Sequence, residues 1–337
     1  MIINTQKLRE INNELVTNFL RDNEFGTISR ISRATELSIS TCRNILNELV
    51  KDKIVTELND SASNGGRPSV KYVFNKNHSY FGIILISTDK NDEIIKSYTV
   101  NMAGEAVYEK SLVLKKITIE TLMDIVQELT LSKPGIEVIT IGIPGVVQDG
   151  KVGLCDISSF INTTLKEIIE SQFKIKIILE NDVNAAALGY YNCNKDDSNN
   201  IAYLYYPNLG IPGAGIIVNG EIIKGDSNFA GEVRFLPFEE KFTDLELIQN
   251  DLELFSELIV KTILSINSIL NPSRVCISWN NLSEEFFNKI ENRTISISKH
   301  GHLPKLSFNT SLDLDYFNGL KLIGLNELSC KLKVVES

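Results

Sequence analysis

The stretch "IILENDVNAAALG" (177–189) passes from three aliphatic residues through Glu180-Asn181-Asp182 into an alanine-rich run that ends in glycine. Ile177, Ile178 and Leu179 read as the buried end of a strand, and the residues after Asp182 as a closely packed helix. That order sets Asn181 and Asp182 at the carboxyl end of a strand, where open α/β sheets bind ligands. A carboxylate beside an amide there suits a polyol, because Asp accepts from neighbouring hydroxyls while Asn both donates and accepts. The alternative for Asp182 is a cap on the following helix, a place that Asx residues favour in any protein.

With 337 residues, 43% hydrophobic and 23% charged, the chain is long enough for two or three packed domains of globular composition. No apolar run approaches the ~18 residues that span a bilayer, and the opening "MIINTQKLRE" lacks a signal-peptide core, so a cytoplasmic protein with no membrane partner is expected. Cys42, Cys155, Cys193, Cys276 and Cys330 form no Cys-x-x-Cys pair, which signals neither a disulfide framework nor a zinc site. The net charge is −9, unevenly spread: residues 1–76 hold 11 Lys/Arg against 9 Asp/Glu, and the remainder 23 against 34. The change of sign marks a boundary between a first domain, 1–76, and a second, 77–337. It lets the first segment meet phosphates while the rest stays soluble and self-repelling.

In the first segment Leu8, Ile11, Leu15, Val16, Phe19 and Leu20 recur at helical spacing and predict an amphipathic helix that stops near "DNEFG". A short helix follows in "TISRISRATEL" (27–37), and Ser38 can cap a third running from Ile39 to about Lys51. There Cys42, Ile45, Leu46 and Leu49 share one face, which turns Ser40, Thr41, Arg43, Asn44 and Asn47 outward. These side chains can hydrogen-bond base edges and phosphates from the first turns of a recognition helix. Strands "VTEL" (55–58) and "VKYVF" (70–74) around "NDSASNGGRPS" predict a hairpin, with Gly65-Gly66 turning the tip, Pro68 stiffening it and Arg67 projected toward a minor groove. Together they read as a winged helix-turn-helix for a double-stranded DNA operator; a three-helix interaction module is the plainer alternative.

From residue 80 onward, strands "YFGIILIS", "IIKSYTVNM" and "AVYEKSLVL", a helix "TIETLMDIVQELTL" and a strand "EVITIGIPGVV" follow in turn. A strand meander, a helix and a parallel strand match one lobe of a ribonuclease-H-like fold. A second lobe begins with "NIAYLYYP" and "AGIIVNGEII". Thr243 to Glu246 reads as a capping box opening one long helix, with Leu245, Ile248, Leu252, Phe255, Ile259, Ile263 and Ile266 on one stripe, ended by Asn271-Pro272. The expected fold class is α/β: a winged helix followed by a two-lobed, actin-like body, with lobes at about 77–182 and 183–337 and the C-terminal tail packing on the first.

Most of the chain resembles the ROK family, whose name joins repressors, open reading frames and sugar kinases. The resemblance runs from the helix-turn-helix through "GGRPS", "IGIPGVV", "LENDVNAAALG" and "GAGIIVNGEIIKGDSNFAGEV", specific when taken in this order. It implies a sugar cleft between the lobes with Gly145 at its floor, Asn181 and Asp182 on one wall and Glu232 on the other. In kinases of the family the aspartate corresponding to Asp182 is the general base. For Glu232 the alternative is a surface carboxylate in a glycine loop.

Departures from the kinase pattern decide the class. Phosphoryl transfer rests on holding the γ-phosphate and its magnesium, yet Ile84 stands in "FGIILIS" where the family's kinases carry an aspartate, and isoleucine cannot hold a hydrated metal. In "NLGIPGAG" Pro212 removes a backbone N–H from the second phosphate loop. Family members with a zinc motif place a histidine three residues after the glutamate; this chain has Phe235 there, Arg234 in place of a glycine, and no cysteine between Cys193 and Cys276. Phe235 is expected to fill the space left by the lost zinc turn, the alternative being stacking on a sugar face.

The resulting expectation is a sugar-responsive repressor, a homodimer or homotetramer, with no cofactor, no metal and no catalytic residue. Gly145, Asn181, Asp182 and Glu232 would bind a sugar effector, and Ser40, Thr41, Arg43, Asn44, Asn47 and Arg67 would bind DNA. The alternatives are an active ATP-dependent sugar kinase with an appended domain, and a ligand-independent DNA-binding protein.

Overall fold

The structure, a computed structural model, describes residues 5–59, 70–194, 199–208, 211–242, 244–298 and 301–331. Arg67 and the rest of the predicted hairpin tip, and Thr243 of the expected capping box, lie outside the described residues. The chain divides into two compact units, one of residues 1–80, 100–107 and 328–337, the other of 81–99 and 108–327.

The first unit contains α1 (Thr5–Asp22), α2 (Ile28–Thr35), α3 (Ile39–Lys51), β1 (Val55–Asn59) and β2 (Val70–Phe74). Thr27 caps α2, and Ser38 caps α3 by accepting from the Thr41 N–H at 3.0 Å. The strands pair antiparallel from Val55 opposite Phe74 to Asn59 opposite Val70. Cys42, Ile45, Leu46 and Leu49 are buried together with Val16, Leu20, Ile31, Val55 and Tyr72, so the apolar face of α3 is the one its spacing indicates. The stripe on α1 is buried only in part. Val16 and Leu20 are buried, but Leu8, Ile11 and Leu15 are 41–49% exposed. Only the C-terminal half of α1 meets the small core; its earlier turns extend past it.

The second unit holds most of two five-stranded sheets. The first sheet, in spatial order β5-β4-β3-β6-β9, uses β3 (Tyr80–Asp89), β4 (Asp92–Asn101), β5 (Ala106–Leu114), β6 (Val138–Ile143) and β9 (Lys176–Asn181). β3, β6 and β9 run parallel, joined by α4 (Ile119–Ser132) and α5 (Leu165–Phe173). Thr118 and Thr121 form a capping box at the start of α4. The expected single strand over 137–147 is divided: β6 ends at Ile143, and β7 (Gly145–Gln148) pairs instead with β8 (Lys151–Cys155) in a separate two-stranded ribbon. Pro144 stands at the break, where its missing N–H and fixed φ prevent the ladder from continuing.

α6 (Asp182–Cys193) leads to the second sheet, in order β12-β11-β10-β13-β14, built from β10 (Ile201–Tyr205), β11 (Gly213–Val218), β12 (Glu221–Ile222), β13 (Arg274–Ser278) and β14 (Lys305–Asn309). β10, β13 and β14 are parallel, and β11 and β12 complete the sheet antiparallel. The long helix expected from Thr243 onward is two helices, α7 (Leu245–Asn250) and α8 (Leu252–Leu270). Asp244 caps the first, and Asp251 separates them, its backbone extended and its side chain accepting from the Glu253 and Leu254 N–H groups. A local cap outcompetes helix continuation there. α9 (Glu284–Ile297) and β14 are additions to the elements that the sequence patterns indicate. The closing α10 (Asp313–Lys331) lies against the first sheet: the Tyr316 hydroxyl donates to the Ile86 carbonyl at 3.2 Å, and Phe317 meets Tyr98 edge-on at 4.9 Å. Among the described residues no helix is long and apolar enough to cross a membrane.

Candidate functional site

At the carboxyl ends of β6 and β9 the chain leaves the first sheet twice, once into the β7–β8 ribbon and once into α6. The second sheet's β11 and the glycine loop after β12 face them. The pocket so formed is lined by Gly145, Asp156, Asn181, Asp182, Tyr205, Asn228 and Glu232, with Ser87 and Thr88 from the end of β3. Its atom-free space is about 700 Å3 with the open mouth included, of which about 50 Å3 can hold the centre of a water molecule.

All four residues expected to hold an effector line this one pocket. Gly145 is required by close approach, since a Cβ there would stand 2.4 Å from the Leu154 carbonyl and 2.6 Å from the Cys155 Cα. Asn181 is the true N-cap of α6, its Oδ1 accepting from the Asn184 N–H at 2.9 Å, and its amide hydrogens go to the Gly145 carbonyl at 3.0 Å and Asp182 Oδ1 at 3.1 Å. Only the second lone pair of that oxygen is left for a ligand unless an internal bond opens.

Asp182 is therefore not the cap. It is the first residue of the helix, 6% exposed, with Oδ1 accepting from the Val183 and Asn181 N–H groups and Oδ2 making no hydrogen bond among the described residues. Burial pushes its carboxyl up to about 8, with Asp156 adding to the effect. Burial also raises Asp156, to about 6, against the pull of Arg234, and it raises Glu232, helped by Asp156. Asp156 is a pocket residue that the sequence patterns miss. It follows the β7–β8 ribbon, and a strand read straight through Pro144 hides that turn. The signal present in the sequence is Pro144 itself.

Ile84 is fully buried in β3 opposite Ile141, away from the pocket, whose edge on that strand is Ser87 and Thr88. Phe235 does not fill interior space as expected: it is 56% exposed and lies beside the 46% exposed Phe229, ring centroids 5.3 Å apart. The residues between them make their own backbone turns, the Glu232 N–H donating to the Phe229 carbonyl and the Phe235 N–H to the Glu232 carbonyl. Among the described residues no group of three His, Cys, Asp or Glu is placed to hold a metal ion.

On the first unit, Ser40, Arg43, Asn44 and Asn47 are exposed on α3 and Thr41 is half-buried. Ser38 Oγ lies 2.8 Å from both Ser40 Oγ and Thr41 Oγ1, so these two hydroxyls belong to the cap network. Among the described residues Arg43, Asn44 and Asn47 make no side-chain hydrogen bond that would hold them back from a partner. Arg33 on α2 is a further exposed cation, outside the candidates that the α3 spacing singles out.

The model of the ROK family matches residues 88–242. The chain is similar to the xylose repressor of Caldicellulosiruptor bescii, 29% identical over 238 residues that make up 67% of this chain and 58% of that protein; it thus spans a little over half the length of such relatives. Among solved structures, a ROK family transcriptional regulator described as a homolog of the E. coli MLC protein superposes with a TM-score of 0.73 at 16% identity, covering 98% of this chain and 100% of that one. A ROK hexokinase from Thermus thermophilus superposes with a TM-score of 0.59 at 15% identity, over 74% of this chain and 99% of that one. At such identities the two structures bear on fold, and both a regulator and a kinase share it.

Proposed function

From the premise that the chain carries a ROK family domain over residues 88–242, we propose that it is a sugar-responsive, DNA-binding transcriptional repressor whose kinase-like body binds an effector without catalysis. The observation that carries this reading is the division of the pocket's chemistry. The pocket keeps polar groups with open valences, at Asp156, Asp182 and Glu232, and the family resemblance sets the buried Ile84 at the position where kinases of the family carry an aspartate. Convergent polar groups in a cleft support retained binding, since unpaired polar groups cost stability.

On this reading residues 1–76 are a winged helix-turn-helix, α2 and α3 its helix pair and β1–β2 its wing, and the protein acts as a homodimer or homotetramer in the cytoplasm. Dimers read two half-sites about one helical turn or a multiple apart, so a ligand that changes their separation weakens binding. Glu232→Ala should leave operator affinity intact and make it insensitive to the inducing sugar, where the parent shows a coupling of roughly 1–3 kcal/mol. Operator affinity measured with and without sugars in parent and variant tests the proposal; a parent that responds to none fails it.

Arg43 and Asn44 are assigned to base edges. Arg43→Ala should cost about 1–3 kcal/mol at its target base pair and relax specificity there, read by binding to operators substituted one pair at a time. An unchanged profile would move recognition off α3.

One observation favours a second reading, an active sugar kinase. Asp182 lines the pocket with Oδ2 making no hydrogen bond among the described residues, a place from which its carboxylate, once ionised, can take a proton from a sugar hydroxyl. ATP-dependent phosphorylation of a sugar by the pure protein, lost in Asp182→Asn, would establish it.

A further inference from the structure

The geometry points to a cationic ligand: the pocket is built for an amino sugar, whose ammonium group sits among Asp156, Asp182 and Glu232. This rests on the reading of the pocket as an effector site.

The three carboxylates come from three separate segments, after β8, at the start of α6 and in the loop after β12, and all line one pocket. None is paired with a cationic side chain in a salt bridge among the described residues. Asp182 is 6% exposed and its Oδ2 has no partner among the described residues, and neither Asp156 nor Glu232 makes a side-chain hydrogen bond or ion pair among them. Elsewhere the protein pairs such groups: Glu239 and Glu257 lie at 2.7 and 2.9 Å from Lys261 and Lys241. In the pocket's own loop Lys224 is committed to Glu180 at 2.6 Å. Arg234, exposed, draws on Asp156 but forms no salt bridge with it.

A neutral sugar can donate hydroxyl hydrogens to these oxygens, yet it brings no charge, and covering them deepens their desolvation. An ammonium brings three donors and the compensating charge. A phosphorylated sugar would add charge of the wrong sign. A bare divalent ion is not served: among the described residues no group of three such side chains is placed to hold a metal ion at its short bond lengths, whereas an ammonium reaches acceptors at the longer distances of hydrogen bonds. The hydroxyls of Ser87, Thr88 and Tyr205 remain along the same lining for the rest of the polyol. Burial raises the Asp182 carboxyl to about 8, so it holds a proton at neutral pH until a ligand binds, and an arriving ammonium displaces it.

Isothermal titration of the full chain with D-glucosamine, D-galactosamine, D-glucose, D-galactose, N-acetyl-D-glucosamine and D-glucose 6-phosphate tests this. The acetylated sugar keeps the nitrogen and removes its charge. One of the amino sugars should bind more than about tenfold tighter than its neutral counterpart, as charge-assisted hydrogen bonds imply. The phosphate ester should not bind, and heats in buffers of different ionisation enthalpy should reveal proton release. Asp156→Asn, and Glu232→Gln should the first variant fold poorly, should lower the ratio of amino-sugar to neutral-sugar affinity. A neutral sugar that binds as tightly as its amine, or a ratio unmoved in both variants, overturns the inference and leaves the effector reading standing. Binding of no sugar at all overturns both.

Discussion

Gly189→Ala should destabilise the protein by about 3 kcal/mol or more, although it exchanges a poor helix former for the best one within α6. A Cβ at Gly189 would stand 1.9 Å from the Asp315 carbonyl oxygen and 2.7 Å from the Gly319 backbone nitrogen, and a Cβ at Gly319 would stand 1.8 Å from the Ala185 carbonyl oxygen. The obstacles are backbone atoms on both sides, so no side chain can swing away. α6 and α10 must separate. α10 is itself fixed, because Asp315 accepts from the Tyr203 hydroxyl at 3.1 Å and from Asn309, and Tyr316 reaches the carbonyl of Ile86. Separation would therefore also displace the start of α6, where Asn181 and Asp182 sit, and ligand binding should weaken with stability. Gly153→Ala is the control: its Cβ would meet nothing nearer than 3.6 Å, and a near-neutral effect is expected. Thermal and denaturant unfolding of the three proteins decides the matter. Equal midpoints for parent and Gly189→Ala would mean that the two helices are not in this contact.

That contact is half legible in the sequence. The run of alanines ending in Gly189 announces a helix packed closely against something, but nothing local says that its partner is a helix near the far end of the chain. The same division holds at the pocket. Residues 177–189 can be read directly because a strand, a cap and a helix follow each other within one stretch, each with its own spacing signal. α3 is readable for the same reason, with Ser38 and the faces of Cys42, Ile45, Leu46 and Leu49 all local properties. Asp156 is not, since its place depends on the chain turning out of the sheet at Pro144 and returning through a ribbon. The split between α7 and α8 is hidden because the apolar stripe continues across Asp251, while the cap that interrupts it is a competition between hydrogen bonds that periodicity does not report. On α1 the spacing is right and the core too small: a periodic face shows which side of a helix can be buried, and tertiary size decides how much of it is.

Asp182 also carries the largest electrostatic effect expected of a single residue. Its carboxyl stands at about 8 in the folded chain against the 3.8 ordinary for an aspartate, so between those limits the folded state holds a proton that the unfolded state has lost. Stability should accordingly be highest on the acid side and fall as pH rises through neutrality toward about 8, with Asp156 contributing an earlier loss up to about 6. The groups facing Asp182 sharpen this. Asp156 and Glu232 repel its charge, while Tyr205, Tyr316 and Cys155, all themselves raised by burial, stay neutral over the range and offer no compensation. Asparagine at 182 keeps the oxygen that accepts from Val183 and Asn181, fits the same space and never ionises. The Asp182→Asn variant should therefore gain stability relative to the parent as pH rises, on the order of 2–4 kcal/mol by about pH 9, since each tenfold change in proton affinity between the two states carries about 1.4 kcal/mol. Melting curves of both proteins from about pH 5 to about pH 9 measure the gap directly. A gap that stays constant across that range would mean that the proton held in the ligand-free protein is not on Asp182. A gap that widens, and narrows again when an amino sugar is added to the parent, would place the titrating carboxyl and the ligand's cation at the same oxygen atoms.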